Sequence, residues 1–137
     1  MSNTEQKRCR IFGWSALLGW AVFGLFLEAM HGFKLSAYLD DALTRELLTL
    51  AHAHGVGLSL VVLVFGEAGL PLFDEQERRS PSRALQWGAL IVPVAFALSA
   101  IDHPEGDPNV LIWLVPVGAL AILYALANTA YRAILFP

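Results

Sequence analysis

The chain has 137 residues, 56% of them apolar and 15% charged, with a formal net charge of −3. Soluble domains run at roughly 45–50% apolar and about 25% charged, so this composition points away from a soluble globular domain, and the length leaves room for one domain over 1–137. The single cysteine, Cys9, excludes an intramolecular disulfide and any cysteine-based metal cluster.

Met1 to Gln6 reads as a polar, frayed tail. The first apolar stretch follows, over 11–32. Its basic approach through Lys7, Arg8 and Arg10 is that of a signal peptide, but the run exceeds the ~7–15 residues of an apolar signal core. No small-x-small cleavage site follows "LEAMHG", so a retained transmembrane helix is expected. The next segment, "KLSAYLDDALTREL", spaces Leu35, Leu39, Leu43 and Leu47 four apart, which draws a stripe on a helix. That stripe predicts a short interfacial helix, with Tyr38 at headgroup level, or else an outward extension of the second span.

Further apolar stretches cover 47–72, 84–101 and 110–131. Each holds about 18 or more residues with few charges, close to the roughly 20 that cross a bilayer. The expected fold is all-α: a polytopic membrane protein built as a four-transmembrane-helix up-down bundle, since short connections favour antiparallel neighbours. Pro93 and Pro116 are expected mid-span, where neighbours or water can satisfy freed carbonyls. "DHPEGDPN" reads as a turn, with Pro104 and Pro108 fixing φ and Gly106 free to take positive φ.

Basic residues divide the connections. Lys7, Arg8, Arg10, Arg78, Arg79, Arg83 and Arg132 fall on one side, and only Lys34 and Arg45 on the other. The positive-inside rule then puts both termini in the cytoplasm, and in a bacterium the opposite side would be the periplasm. All four histidines gather on that outer side: His31 ends the first span, His52 and His54 open the second, and His103 follows the third.

Glu28 and His31, three apart, share a helix face, and small residues behind them (Gly24, Ala21, Gly13) would let another helix approach. His52 and His54 lie about 200° apart on a regular helix. His52 heads a small, polar stripe through Gly55, Ser59, Leu63 and Gly66, whereas His54 heads a bulky one through Leu58, Val61 and Phe65. His52 is therefore expected beside Glu28 and His31, and His54 toward headgroups, a partner subunit or a second ligand.

Imidazole with carboxylate suits a transition metal ion such as copper, zinc or iron. The leading expectation is a metal site of Glu28, His31 and His52, supplemented by His54 and His103. Only one Glu-x-x-His is present, half of a di-iron pattern. A b-type haem clamped by imidazoles, with Lys34 or Arg45 near its propionates, is the second reading. The third has no cofactor: the polar groups contact water, and the chain is an accessory subunit or homo-oligomer packing against partner membrane helices.

Other candidates have plainer readings. Glu67, about 22 Å deeper than His52, is expected to snorkel or to pair with Arg79 or Arg83. Tyr124 and Asn128 suit interhelical hydrogen bonds. Asp102, Glu105 and Asp107 lack calcium-loop spacing and read as a solvated turn. No phosphate-binding, dinucleotide or Gly-x-Ser-x-Gly motif occurs, and nothing points to nucleic acid.

Overall fold

The computed structural model describes residues 4–135, and among them every regular element is helical. Helix α1 is Thr4–Gly32, the single turn α2 is Ser36–Leu39, and α3 is Ala42–Val64. The last helix continues through a π-helical stretch, Phe65–Gly69, and a 3₁₀ turn, Leu70–Leu72. Helix α4 is Arg79–Ser99, and a 3₁₀ turn at Val110–Trp113 leads into α5, Leu114–Leu135. Four of these, Thr4–Gly32, Ala42–Leu72, Arg79–Ser99 and Val110–Leu135, are long and apolar enough to cross a membrane.

The expected polar tail falls partly outside the described residues, at 1–3; Thr4 to Gln6 belong to α1. At 29 residues α1 is about 44 Å long, longer than a hydrocarbon layer of ~30 Å, and its first turns carry Glu5, Arg8 and Arg10. Its other end closes by a Schellman turn. Leu35 N–H donates to the Met30 carbonyl and Lys34 N–H to that of His31, with Lys34 at φ 54°.

The second span begins five residues earlier than its apolar run, at Ala42. Asp41 is the reason: its Oδ1 accepts from the N–H groups of Leu43 and Thr44, at 3.0 and 3.1 Å. That cap satisfies donors a helix start otherwise leaves open. The "KLSAYLDDALTREL" segment thus divides into the α2 turn and the first turn of α3. Pro116 stands near the start of α5 rather than mid-span, where missing its N–H costs little. Pro93 lies inside α4 and is buried.

Packing follows chain order, α1 on α3, α3 on α4, and α4 on α5. Contacts climb one helix as they descend its neighbour: Gly13 meets Leu63 while Gly24 meets His52, and Gly118 meets Val92 while Ile122 meets Gly88. The main apolar core sits where the start of α1, the end of α3 and the start of α4 converge. Cys9, Val62, Phe65, Leu70, Phe73, Leu85 and Ala89 form it, with Ala125 of α5. Toward the histidine end this cluster gives out, and the α1–α3 seam opens into a groove. Both outer helices, α1 and α5, leave most of their surface exposed.

The α4–α5 contact tests this packing. A Cβ on Gly88 would stand 2.6 Å from the Gly118 carbonyl oxygen, backbone that cannot turn aside. Gly88→Ala is expected to cost about 1–3 kcal/mol, the range of overpacked sites. Gly19→Ala, with nothing within 4 Å, should be neutral or slightly stabilising, because alanine is the better helix former. Unfolding of both variants in mixed micelles makes the comparison.

Candidate functional site

Three of the five sequence candidates come together. Glu28, His31 and His52 line one cavity of about 700 Å³ between α1 and α3. Its walls are otherwise mostly apolar, among them Leu17, Leu25, Leu27 and Val56, with Tyr38 and Thr49 also lining it. Glu28 and His31 are exposed at its edge and His52 is half-buried.

His52 is held by two features of α1. Its ring lies across Gly24, where any Cβ would overlap Cε1. Its Nδ1 stands 2.9 Å from the Trp20 carbonyl oxygen. A carbonyl only accepts, so Nδ1 carries the proton and, in the neutral ring, Nε2 keeps a bare lone pair. The Trp20 ring in turn lies across Gly55 of α3. Each helix therefore offers a glycine to the other's ring.

The remaining two histidines stand elsewhere. His54, on the far face of α3, packs its ring against Phe96 of α4 at 5.1 Å between centroids and donates from Nδ1 to the Leu50 carbonyl. It faces α4 because the roughly 200° of rotation from His52 turns it away from α1. His103 folds back from the α4–α5 connection onto the start of α3. Its Nε2 lies 2.9 Å from Asp41 Oδ2 and 3.0 Å from Thr44 Oγ1, and Nδ1 donates to the Pro104 carbonyl at 2.9 Å. Among the described residues no group of three or more His, Cys, Asp or Glu side chains is placed to hold a metal ion.

Tyr38, expected at headgroup level, turns inward against the protein. It is buried and lines both this cavity and an adjoining one of about 470 Å³, which it shares with His31, Arg45 and Thr49. Arg45 donates to the Leu39 carbonyl and ties α2 to α3. Nothing local marks Tyr38 as inward-facing; its burial follows from the chain folding back at Lys34. Glu67 pairs with Arg10 of α1 at 2.9 Å, not with Arg79 or Arg83, and accepts from Gln6 at 3.1 Å. Tyr124 reaches Ser80 of α4 at 3.0 Å, whereas Asn128 bonds within its own helix.

Comparison with known protein families, curated proteins and solved structures gave no match.

The His103–Asp41 pair lies outside the spans and has a defined pH response. The bond to the Pro104 carbonyl, reinforced by the Asp41 carboxylate, raises His103 above its ordinary 6.5 despite some desolvation. The Thr44 N–H and hydroxyl, then His103 and the Leu43 N–H, hold Asp41 below its ordinary 3.8. Stabilisation from His103 is complete below 6.5 and lost as pH rises through its raised value; that from Asp41 is present above 3.8 and lost as pH falls through its depressed value. The latch is therefore strongest from about pH 4 to 6.5. An NMR titration should place the His103 midpoint above 6.5, and Asp41→Asn, which keeps a cap but removes the charge, should lower it.

Proposed function

We propose that this chain is an integral membrane protein crossing the bilayer four times, up and down, with both termini on the basic, cytoplasmic side. In a bacterium that would be the inner membrane. Its α1–α3 groove binds a small, lipid-soluble molecule whose polar head is received by Glu28, His31 and His52. One observation carries the ligand reading: an apolar trough of about 700 Å³ coincides with three ionisable side chains. Sites for small organic ligands run to roughly 300–1,000 Å³, mostly apolar with a few placed polar groups, and an ion held by side chains needs no such space. The bare Nε2 of His52 and the carboxylate of Glu28 are acceptors, so a head bearing O–H donors, as in a phenol or quinol, fits them.

The second reading is a copper, zinc or iron ion on Glu28, His31 and His52. The tautomer of His52 favours it, because metal-bound imidazoles usually donate their other N–H to a carbonyl or carboxylate. It requires the three side chains to close together, and it drops His54 and His103 from the ligand set. A b-type haem would join both readings, with His52 holding the iron and Arg45 near the propionates.

Detergent-purified chain is titrated with a short-chain benzoquinol, with haemin, and with zinc, copper and iron salts, followed by tryptophan emission and visible absorption. The quinol or haemin should bind, with affinity at least tenfold weaker in His52→Ala. Binding of ions alone, about one per chain and lost in His31→Ala, would replace the first reading with the second. If no probe binds, the groove is not a ligand site and the accessory-subunit reading stands.

A further inference from the structure

A second cavity, of about 710 Å³, lies between α1 and α4 at the opposite, basic end. The two helices touch there through a small polar cluster. Cys9 Sγ is 3.4 Å from Ser82 Oγ; Gln86 donates to Ser82 at 2.9 Å, and Ser82 to Glu5 at 3.3 Å. Beyond this cluster α1 and α4 part, leaving a groove lined by Phe12, Trp87 and Leu90 with Arg8, Arg83 and Gln86. Its apolar rim is open: Ile11 is 58% exposed, Trp87 61% and Leu90 40%.

Charge sits at one end of this groove. Arg10 pairs with Glu67, Arg132 with Glu77, and Arg78 donates to the Phe73 carbonyl, so these guanidiniums are engaged elsewhere. Arg8 is steadied by Glu5 through a single N–H at 3.1 Å, which leaves its other donors available. Arg83 makes no ion pair or side-chain hydrogen bond among the described residues. The seven helical steps from Arg83 to Leu90 span about 10 Å, most of the ~15 Å depth of one leaflet's hydrocarbon. Cation at the headgroup level and apolar wall below it match the polarity of a phospholipid. A second copy of the chain would set Arg8 and Arg83 against their own like charges.

We propose that the α1–α4 groove is a binding site for an anionic phospholipid, its phosphate received by Arg8 and Arg83 and one acyl chain laid over Phe12, Trp87 and Leu90. Guanidinium fits phosphate oxygens in a fork, and basic pockets between membrane helices recognise anionic headgroups. The proposal rests on the membrane-embedded reading but on no ligand in the α1–α3 groove, and it holds for whichever leaflet borders the basic end.

The test has two stages. Flotation with neutral phosphatidylcholine vesicles checks membrane embedding alone; a chain that stays behind sinks that reading as well. Native mass spectrometry then compares adducts of phosphatidylglycerol and phosphatidylcholine with matched acyl chains. Wild type should retain phosphatidylglycerol about tenfold over phosphatidylcholine, in line with two arginines at a membrane surface. The preference should vanish in Arg8→Gln/Arg83→Gln and persist in Arg79→Gln, which removes a charge from the same end outside the groove. Equal retention of the two lipids by wild type, equal loss in Arg79→Gln, or dimer peaks in place of lipid adducts would each overturn the proposal.

Discussion

The α1–α3 seam is held by two rings that exchange places over two glycines. Trp20 of α1 covers Gly55 of α3, His52 of α3 covers Gly24 of α1, and the imidazole N–H closes on the Trp20 carbonyl. In hydrocarbon no hydrophobic force draws helices together, so close contact across small residues and interhelical hydrogen bonds must do so. The bond to the Trp20 carbonyl sets the orientation of His52 and the nitrogen that remains for a ligand. Glu28 and His31 gain their relation to His52 only through this seam.

The two ends of the molecule are built differently. At the basic end, Cys9, Phe65, Leu70, Phe73 and Leu85 make a dense core, and α1 is further tied to the end of α3 by Arg10 and Glu67. At the histidine end that core is gone, the seam widens, and the connections do the fastening. Lys34 turns the chain back so that Tyr38 is buried, Asp41 caps α3, and His103 binds Asp41 from the α4–α5 connection. A dense base with an open, partly polar rim suits the ligand site proposed for the histidine end. Three of the chain's four imidazoles serve as packing or fastening groups there: His52 on Trp20, His54 against Phe96 and His103 on Asp41.

Much of this was legible in the residues. Composition and run length reveal four helices able to span, because a bilayer demands about twenty apolar residues per crossing. Helical arithmetic separates His52 from His54, since 200° cannot be bent away within one regular helix. The small stripe through Gly55, Ser59 and Gly66 is buried along α3 and its π-helical continuation. What the residues conceal depends on the chain returning to itself. The start of α3 is decided by a carboxylate cap and not by hydropathy, so the apolar run begins too late. The partner of Glu67 comes from α1, fifty-seven residues away, and not from the nearer arginines at the start of α4. An expected common depth makes His103 look like a companion of His52, yet depth says nothing about which helix a loop folds over.

The most direct test of the seam is the protonation of one ring. Histidine-labelled chain in bilayers, with His52 assigned by its loss in His52→Gln, allows nitrogen NMR to report each imidazole nitrogen separately. The seam requires His52 to carry a proton on Nδ1, held on the Trp20 carbonyl. A bare Nδ1, or a ring exchanging freely between tautomers, would contradict it, because the Trp20 carbonyl could not then be holding the imidazole in place.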